Sequence, residues 1–185
     1  MKEIGTKIIE TKRLILRRIE ENDYLQAYEN WTGDKLVERY VTWDTHENAE
    51  CTREYFSSKV DKYEDKLFFD WVVELKENSQ VIGEIEARPS KQDDLVEIGY
   101  CYGSRFWNRG YASEALKAVV DYMFTEVKVR KVLTRHMGMN PASGMVMKKA
   151  GMKIDAVLKG YVIDKKTGKP DDFHMYSIDY EEWKS

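Results

Sequence analysis

The chain has 185 residues, of which 42% are hydrophobic and 34% charged, and its formal net charge is -3. This length predicts a single domain over residues 1–185, and the near balance of charge argues against general nucleic-acid binding. Two cysteines, Cys51 and Cys101, and the lack of an apolar leader or membrane-length segment favour a reducing, cytoplasmic setting away from membranes.

The first half of the chain predicts a strand, a helical region and a hairpin. Residues 13–18, RLILRR, alternate leucine with charge, as a strand does. Residues 23–65 are polar with spaced aromatic side chains and predict two or three helices. Residues 68–75 and 81–88 flank the turn KENSQ and predict a hairpin, and residues 95–103 predict a third strand beside it.

The second half alternates helices and strands. Apolar residues recur at helical spacing from Ala112 onward, and residues 131–137, KVLTRHM, predict a strand. Because a helix connects residues 95–103 to residues 131–137, we expect these two strands to be parallel.

A short helix near residue 145 has clear boundary residues. Asn140 suits the N-cap, Pro141 the first helical position, and Gly151 the position just past the end. Two strands, at residues 152–163 and 172–180, then close the chain. The element order predicts an α/β (α+β) fold with a mixed, mostly antiparallel, twisted sheet of about seven strands flanked by helices.

The loop SRFWNRGYASEA, residues 104–115, joins a strand to a helix and has the features of an anion site. The first turn of a helix leaves backbone N–H groups without partners, and the helix dipole adds positive potential there. Gly110 permits close approach of a ligand, and Arg105 and Arg109 add positive charge. The loop therefore predicts a diphosphate site, with a solvated helix start as the alternative.

Two stretches, VEIGYCYGSRFWNRGYASEALKAVV and NPASGMVMKKAGMK, together resemble the GNAT superfamily of acetyl-CoA-dependent N-acetyltransferases. Within it, the chain most resembles the branch of Rim-type ribosomal-protein N-terminal acetyltransferases. The family motif is Gln or Arg, two residues, Gly, one residue, and Gly or Ala, and here Gly110 and Ala112 match it. Trp107 departs at the first position, which costs a polar side chain but leaves the backbone cradle.

The resemblance implies a GNAT fold in which the central parallel strands splay apart and hold acetyl-CoA. The unpaired backbone near Cys101 and Tyr102 would bind the pantetheine arm, and one N–H there would donate to the thioester oxygen. The residues that it assigns to coenzyme binding are Tyr100, Cys101, Tyr102, Trp107, Asn108, Arg109, Gly110, Tyr111, Ala112, Ser113, Asn140 and Ser143.

Acetyl transfer needs a base that deprotonates the amine, and Glu97 is our candidate. Side chains alternate along a strand, so Glu97 shares a face with Gly99 and Cys101. A carboxylate there could act through a water molecule, with an ordinary structural acid as the alternative. Glu84 and Glu86, on the preceding strand, are weaker rivals.

The acid that protonates the leaving thiolate is less obvious. Many GNAT enzymes place a tyrosine seven residues after the asparagine that Asn140 matches, but this chain has Met147 there. The Rim-like branch instead has a serine three residues after it, which Ser143 matches. Tyr102 is a second candidate, and Asn140 is expected both to cap its helix and to contact the coenzyme.

Other candidate sites carry weaker signals. Cys101 has no paired base that would make it a nucleophile, and the histidines, His46, His136 and His174, are too scattered to predict a metal site. The aromatic residues of region 23–65 are expected mostly to pack in the core and between helices. The resemblance implies that the same region also roofs the acceptor site, with some of Trp31, Tyr40 and Trp43 lining it. Asp172 and Tyr176 match an Asp-x-x-x-Tyr pattern similar to the family's, and the resemblance implies that they help to shape that site from the last strand.

The resemblance therefore implies an N-acetyltransferase that uses acetyl-CoA and no metal, acts on a primary amine of a protein N-terminus or of a small molecule, and works by direct transfer in a ternary complex. The alternatives are an acetyltransferase for antibiotics or polyamines and a CoA-binding sensor without activity, which the absent tyrosine at Met147 keeps open. The family leads us to expect a monomer or a homodimer.

Overall fold

A single sheet of eight strands, in the order β1-β2-β3-β4-β5-β6-β8-β7, organises the computed structural model, which describes residues 1–185. The strands are β1 Ile9–Glu10, β2 Leu14–Arg17, β3 Phe69–Leu75, β4 Val81–Ser90, β5 Leu95–Tyr102, β6 Lys131–Met137, β7 Lys153–Ile163 and β8 Pro170–Asp179. Only β5 and β6 pair in parallel, and every other neighbouring pair is antiparallel. The mixed, mostly antiparallel sheet is confirmed, with one strand more than expected.

The helices lie between the strands and at the C-terminus. They are α1 Asp23–Ala27, α2 Lys35–Glu38, α3 Ala49–Val60, α4 Tyr111–Tyr122, α5 Pro141–Lys149 and α6 Tyr180–Lys184. Residues 28–32 and 123–127 continue α1 and α4 as π-helical turns. The longest helices, α3 and α4, have 12 residues each, and no helix combines the length and the apolarity that a membrane crossing needs.

Two groups of buried side chains hold the layers together. The main core contains 29 buried residues and includes Ala115, Leu116, Val119 and Val120 of α4, whose helical spacing the sequence shows. The second core contains eight buried residues, among them Trp31 and Phe56, and packs α1 and α3 against the sheet. Each face of the sheet is therefore covered by helices, but the ends of β5 and β6 remain accessible between them.

The parallel pair β5–β6 separates after three residues. Leu95, Val96 and Glu97 pair with residues 131–133. Beyond these residues β5 continues to Tyr102 and β6 to Met137, but the two strands no longer pair with each other. The expected splay of the central strands is thus present. It leaves backbone N–H and C=O groups of both strands without sheet partners, and such groups need other hydrogen-bond partners.

Candidate active site

A cleft of about 530 Å³ opens where β5 and β6 separate. Its size falls within the range of sites for small molecules and cofactors. The predicted coenzyme residues that line it are Tyr100, Cys101, Tyr102, Trp107, Asn108, Gly110, Tyr111, Ala112, Ser113, Asn140 and Ser143. Arg109 is the one predicted coenzyme residue outside this lining.

The loop before α4 has a backbone shaped for close approach of a ligand. Gly110 is the N-cap of α4 and adopts a left-handed conformation with φ of 80°, and Asn108 also has positive φ, at 60°. No side chain caps the first turn of α4, so the N–H groups at its start have no side-chain partner. Residues 110–113, which form this start, line the cleft. The uncapped turn favours binding of an anion.

Arg13 fixes this loop from the outside. Its Nη1 donates to the backbone oxygen of Arg109 at 3.0 Å, and its Nε donates to Glu114 of α4 at 2.7 Å. Its guanidinium also lies over the Tyr111 ring, 4.5 Å from the centroid. Sequence reasoning missed Arg13, because nothing in the local pattern indicates that the residue just before β2 contacts a loop almost a hundred residues later.

Trp107 occupies the motif position at which a polar residue was expected, and it makes contacts of a different kind. Its Nε1 donates to the backbone oxygen of Tyr102 at 2.7 Å, and its ring meets that of Tyr40 edge to face at 5.8 Å. The indole therefore ties the loop to the end of β5. The departure from the motif removes a polar side chain without loosening the loop.

Helix α5 brings two polar side chains to the opposite wall of the cleft. The Asn140 Oδ1 accepts a hydrogen bond from the Ser143 backbone N–H at 3.3 Å, so Asn140 is the N-cap that the sequence predicts. The Ser143 hydroxyl lies 2.7 Å from the hydroxyl of Tyr100 on β5. Burial raises the pKa of Tyr100, which keeps its phenol protonated and able to donate.

This Tyr100–Ser143 bond joins β5 to α5 and was not foreseen. The sequence placed both residues at the coenzyme but did not pair them. Strand alternation was the available signal, since Tyr100 must face away from Glu97 and toward the α5 side. Tyr102, on the same face as Tyr100, has a buried hydroxyl with no hydrogen-bond partner, and burial raises its pKa well above the usual value.

Glu97 lies on the other face of β5, beside the cleft rather than in its lining. Its carboxylate is 2.9 Å from Nε of Arg135 and 3.7 Å from Nη2 of Arg88. Arg135 itself lines the cleft. The candidate base is thus held between two guanidinium groups at the point where the strands part.

Glu84, the first rival of Glu97, belongs to a buried charge cluster that also contains Lys59 and Asp70. The Lys59 ammonium contacts both carboxylates, at 2.6 Å from Asp70, and the three side chains are at most 8% exposed. Burial, with Glu84 close by, raises the pKa of Asp70 well above its usual value. Glu86, the second rival, is paired with Arg88 at 3.7 Å.

Cys101 lies next to this cluster on β5. Burial is the main cause that raises the pKa of its thiol, and the nearby Glu84 carboxylate adds to the effect. A thiol in such surroundings stays protonated and is a poor nucleophile.

The predicted roof contributes only in part. Tyr40 lines the cleft, whereas Trp31 is fully buried in the second core and Trp43 packs against that core. Of the predicted pair on the last strand, Tyr176 is buried against His136 and Asp172 bonds to Lys159 at 2.7 Å.

The histidines are closer together than the sequence suggests. His136 and His174 face each other at 4.9 Å between ring centroids, because β6 and β8 pair at these two residues. The spacing of His136 and His174 along the sequence does not indicate that β6 and β8 pair side by side. No group of three His, Cys, Asp or Glu side chains comes together in a way that could hold a metal ion.

Comparison with known proteins agrees with the resemblance that the sequence shows. Residues 13–153 match the model of the acetyltransferase (GNAT) domain. The chain is 30% identical over 172 residues to the uncharacterized N-acetyltransferase YoaA of Bacillus subtilis (strain 168), covering 92% of this chain and 96% of the relative.

Solved structures share the fold over nearly the whole chain. An acetyltransferase (GNAT family) from Bacillus anthracis is 26% identical with a TM-score of 0.82, and the superposition covers 95% of this chain and 99% of that one. RimL, a ribosomal L7/L12 alpha-N-protein acetyltransferase in complex with coenzyme A, is 16% identical with the same TM-score of 0.82 and the same coverage, 95% and 99%. At that identity the likeness concerns the fold alone.

Proposed function

Because the chain belongs to the GNAT acetyltransferase family, we propose that it transfers the acetyl group of acetyl-CoA to a primary amine by direct attack in a ternary complex. The observation that carries this proposal is the cleft between β5 and β6, which runs to the uncapped N-terminus of α4. The relative YoaA is named an N-acetyltransferase, and RimL, which shares the fold, was solved with coenzyme A. Residues 1–185 act as one domain in this proposal.

The coenzyme would lie along the cleft. The first turn of α4, with Gly110 as its N-cap, would hold the diphosphate, since its N–H groups are uncapped and the backbone of Gly110 carries no side chain. The unpaired backbone of β5 near Cys101 would bind the pantetheine arm and donate one N–H to the thioester oxygen. The other coenzyme contacts would come from Tyr100, Tyr102, Trp107, Asn108, Arg109, Tyr111, Ala112, Ser113, Asn140 and Ser143.

The proposed catalytic groups lie on either side of β5. Glu97 would accept the proton of the acceptor's ammonium group, directly or through water, from the face that carries Arg135. Ser143 would protonate the thiolate from the α5 side, supported by its 2.7 Å contact with the Tyr100 hydroxyl. Tyr102 is the alternative acid, and its hydroxyl has no partner.

Replacing Ser143 by alanine tests the acid. We expect kcat to fall about 100-fold and the affinity for acetyl-CoA to fall much less, because proton transfer acts in the transition state, whereas Ser143 supplies only one of many coenzyme contacts. Tyr100→Phe should lower kcat less, since the Ser143 hydroxyl remains. Ser58→Ala on α3, whose hydroxyl bonds only to the Tyr55 backbone oxygen, is the matched control. An unchanged kcat in Ser143→Ala would exclude Ser143 and leave Tyr102.

Asn140 is expected to act on both stability and affinity. Asn140→Ala removes the cap of α5 and should cost about 1 kcal/mol in the free energy of unfolding, and it should also weaken acetyl-CoA binding. Asn48→Ala removes the equivalent cap of α3, away from the cleft, and should cost about the same in stability with no change in affinity. Denaturation by urea and calorimetric titration of both variants separate the two effects. Equal affinities in both variants would contradict a coenzyme contact by Asn140.

The experiment that tests the proposed function is turnover on a panel of amines. Release of the CoA thiol is followed with acetyl-CoA and, in turn, amino acids, peptide N-termini, polyamines and aminoglycosides. Turnover that depends on one class of amine supports the proposal. Binding of acetyl-CoA with no turnover on any class would favour a CoA-binding sensor of the same fold.

A further inference from the structure

A row of four alternating charges crosses β4, β5 and β6 at the place where the strands separate. Glu86 lies 3.7 Å from Arg88, Arg88 lies 3.7 Å from Glu97, and Glu97 lies 2.9 Å from Arg135. Arg135 ends this row and is the only member that lines the cleft. It lies two residues beyond Leu133, the last residue of β6 that pairs with β5.

The environment of Arg135 suits a ligand-binding arginine. Its guanidinium packs over the ring of Phe173, 5.2 Å from the centroid, which holds the group in place. It approaches Glu97 through Nε, and 39% of its side chain is exposed. An arginine held through Nε retains its two terminal nitrogens, which match the two oxygens of a carboxylate.

We propose that Arg135 and Glu97 select a free α-amino acid as the acceptor, with the substrate carboxylate on Arg135 and the substrate ammonium on Glu97. This inference rests on the proposed function and names its substrate class. The two side chains are in contact at 2.9 Å, so they can receive two opposite charges that one carbon atom of the substrate carries. The acceptor site would then lie where β5 and β6 separate, next to the space for the thioester.

Acetyl transfer at this site removes two protons from the substrate nitrogen and adds one to the sulfur. The ammonium group loses one proton through Glu97 to solvent, and the neutral amine attacks the thioester carbon. The N–C bond forms and the C–S bond breaks. A second proton leaves the nitrogen, and the departing thiolate gains one from Ser143, which is reprotonated through solvent. The products are the N-acetyl amino acid and the CoA thiol.

The charge balance of the row argues against a polycation. Two carboxylates, Glu86 and Glu97, face two guanidinium groups, so the row has no net negative charge to attract a polyamine or an aminoglycoside. A zwitterion, by contrast, finds a partner for each of its charges. A peptide N-terminus has no carboxylate on its first α-carbon and would leave the guanidinium of Arg135 without its ligand.

Matched pairs of substrates test the inference. Each amino acid of a panel is compared with its primary amide, which has the same shape without the negative charge. We expect kcat/KM to be about 100-fold higher for the acid, the effect of losing a charge-assisted hydrogen-bonded pair. In Arg135→Gln this preference should disappear because the acid loses far more activity than the amide does. Arg135→Lys should restore part of it.

Arg53→Gln is the control, since Arg53 pairs only with Glu50 on the exposed side of α3. Equal activity on acids and amides, or a preference for peptide N-termini, would overturn the inference. An equal loss on both substrates in Arg135→Gln would show a structural role and overturn it too.

A binding measurement separates this inference from the proposed function. Amino acids and their amides are titrated calorimetrically into the protein with CoA present, which needs no turnover. Binding of acids, and not of amides, that Arg135→Gln abolishes supports the inference even if no amine is acetylated. Failure of every amino acid to bind would overturn it, whatever amine the protein acetylates.

Discussion

Gly110→Glu is expected to weaken acetyl-CoA binding by at least about 100-fold. The new carboxylate would stand at the N-terminus of α4, where like charges about 4 Å apart repel by about 4 kcal/mol near a protein surface. Gly110 also has φ of 80°, a conformation that glutamate adopts only with strain, and a Cβ atom added there would lie 3.4 Å from Nη2 of Arg13. Calorimetric titration with acetyl-CoA measures the loss.

Gly168→Glu provides the matched control for strain. Gly168 also has a left-handed backbone, with φ of 68°, and nothing lies within 4 Å of a side chain added there. The two variants should lose similar stability from backbone strain, and only Gly110→Glu should lose affinity. Unchanged affinity in a folded Gly110→Glu variant would mean that this loop is only a helix start.

Lys59→Met is expected to lower the free energy of unfolding by about 3–5 kcal/mol, the range for removal of one partner from a buried ion pair. Methionine has a similar length, so the loss comes from charge rather than from a cavity. The variant leaves the carboxylates of Asp70 and Glu84 buried without their cation, at 0% and 7% exposure. Urea denaturation at pH 7 measures the change.

The pH dependence of this variant has a defined sign. Burial already raises the pKa of Asp70 in the folded protein, and loss of the ammonium group raises it further. The folded variant therefore binds a proton at Asp70 that the unfolded chain, in which the pKa of an aspartate is about 4, has lost. Its deficit in stability should shrink as the pH falls from 7 toward 4.

Lys117→Met is the control for Lys59→Met. Lys117 pairs with Asp121 at 3.5 Å with 64% of its side chain exposed, and such pairs contribute at most about 0.5 kcal/mol. Similar losses in the two variants, or a deficit in Lys59→Met that grows on acidification, would contradict the account of the buried cluster.

Local signals in the sequence predicted most elements of the fold. The hairpin of β3 and β4 is bounded by a turn, and α5 is bounded by Asn140, Pro141 and Gly151, so these elements lie within a few residues of their predicted places. Two elements were missed. Strand β1 consists of Ile9 and Glu10, too short to show alternation, and exists because it pairs with β2.

Helix α6 was also absent from the prediction, although a signal for it existed. Asp179 and Glu182 form a capping box, with Asp179 accepting from the Glu182 N–H at 3.0 Å. The motif reads DYEE and follows directly on a strand pattern, which obscured it. The strand predicted over residues 172–180 therefore extends one residue into α6, which begins at Tyr180.

The candidate site could be predicted only where its residues are close in sequence. The loop of Gly110 and the cap at Asn140 follow from local patterns. The contacts between Tyr100 and Ser143 and between Glu97 and Arg135 join different elements across the splayed strands. Such pairs depend on the register of the sheet and the position of α5, which no single segment of the chain encodes.

The most direct test of the account is calorimetric titration of the protein with acetyl-CoA, followed by turnover of the same sample on the amine panel. We expect one binding site per chain and acetylation of one class of amine. Absence of binding would contradict the central claim, because the cleft between β5 and β6 and the loop at Gly110 would then not be a coenzyme site.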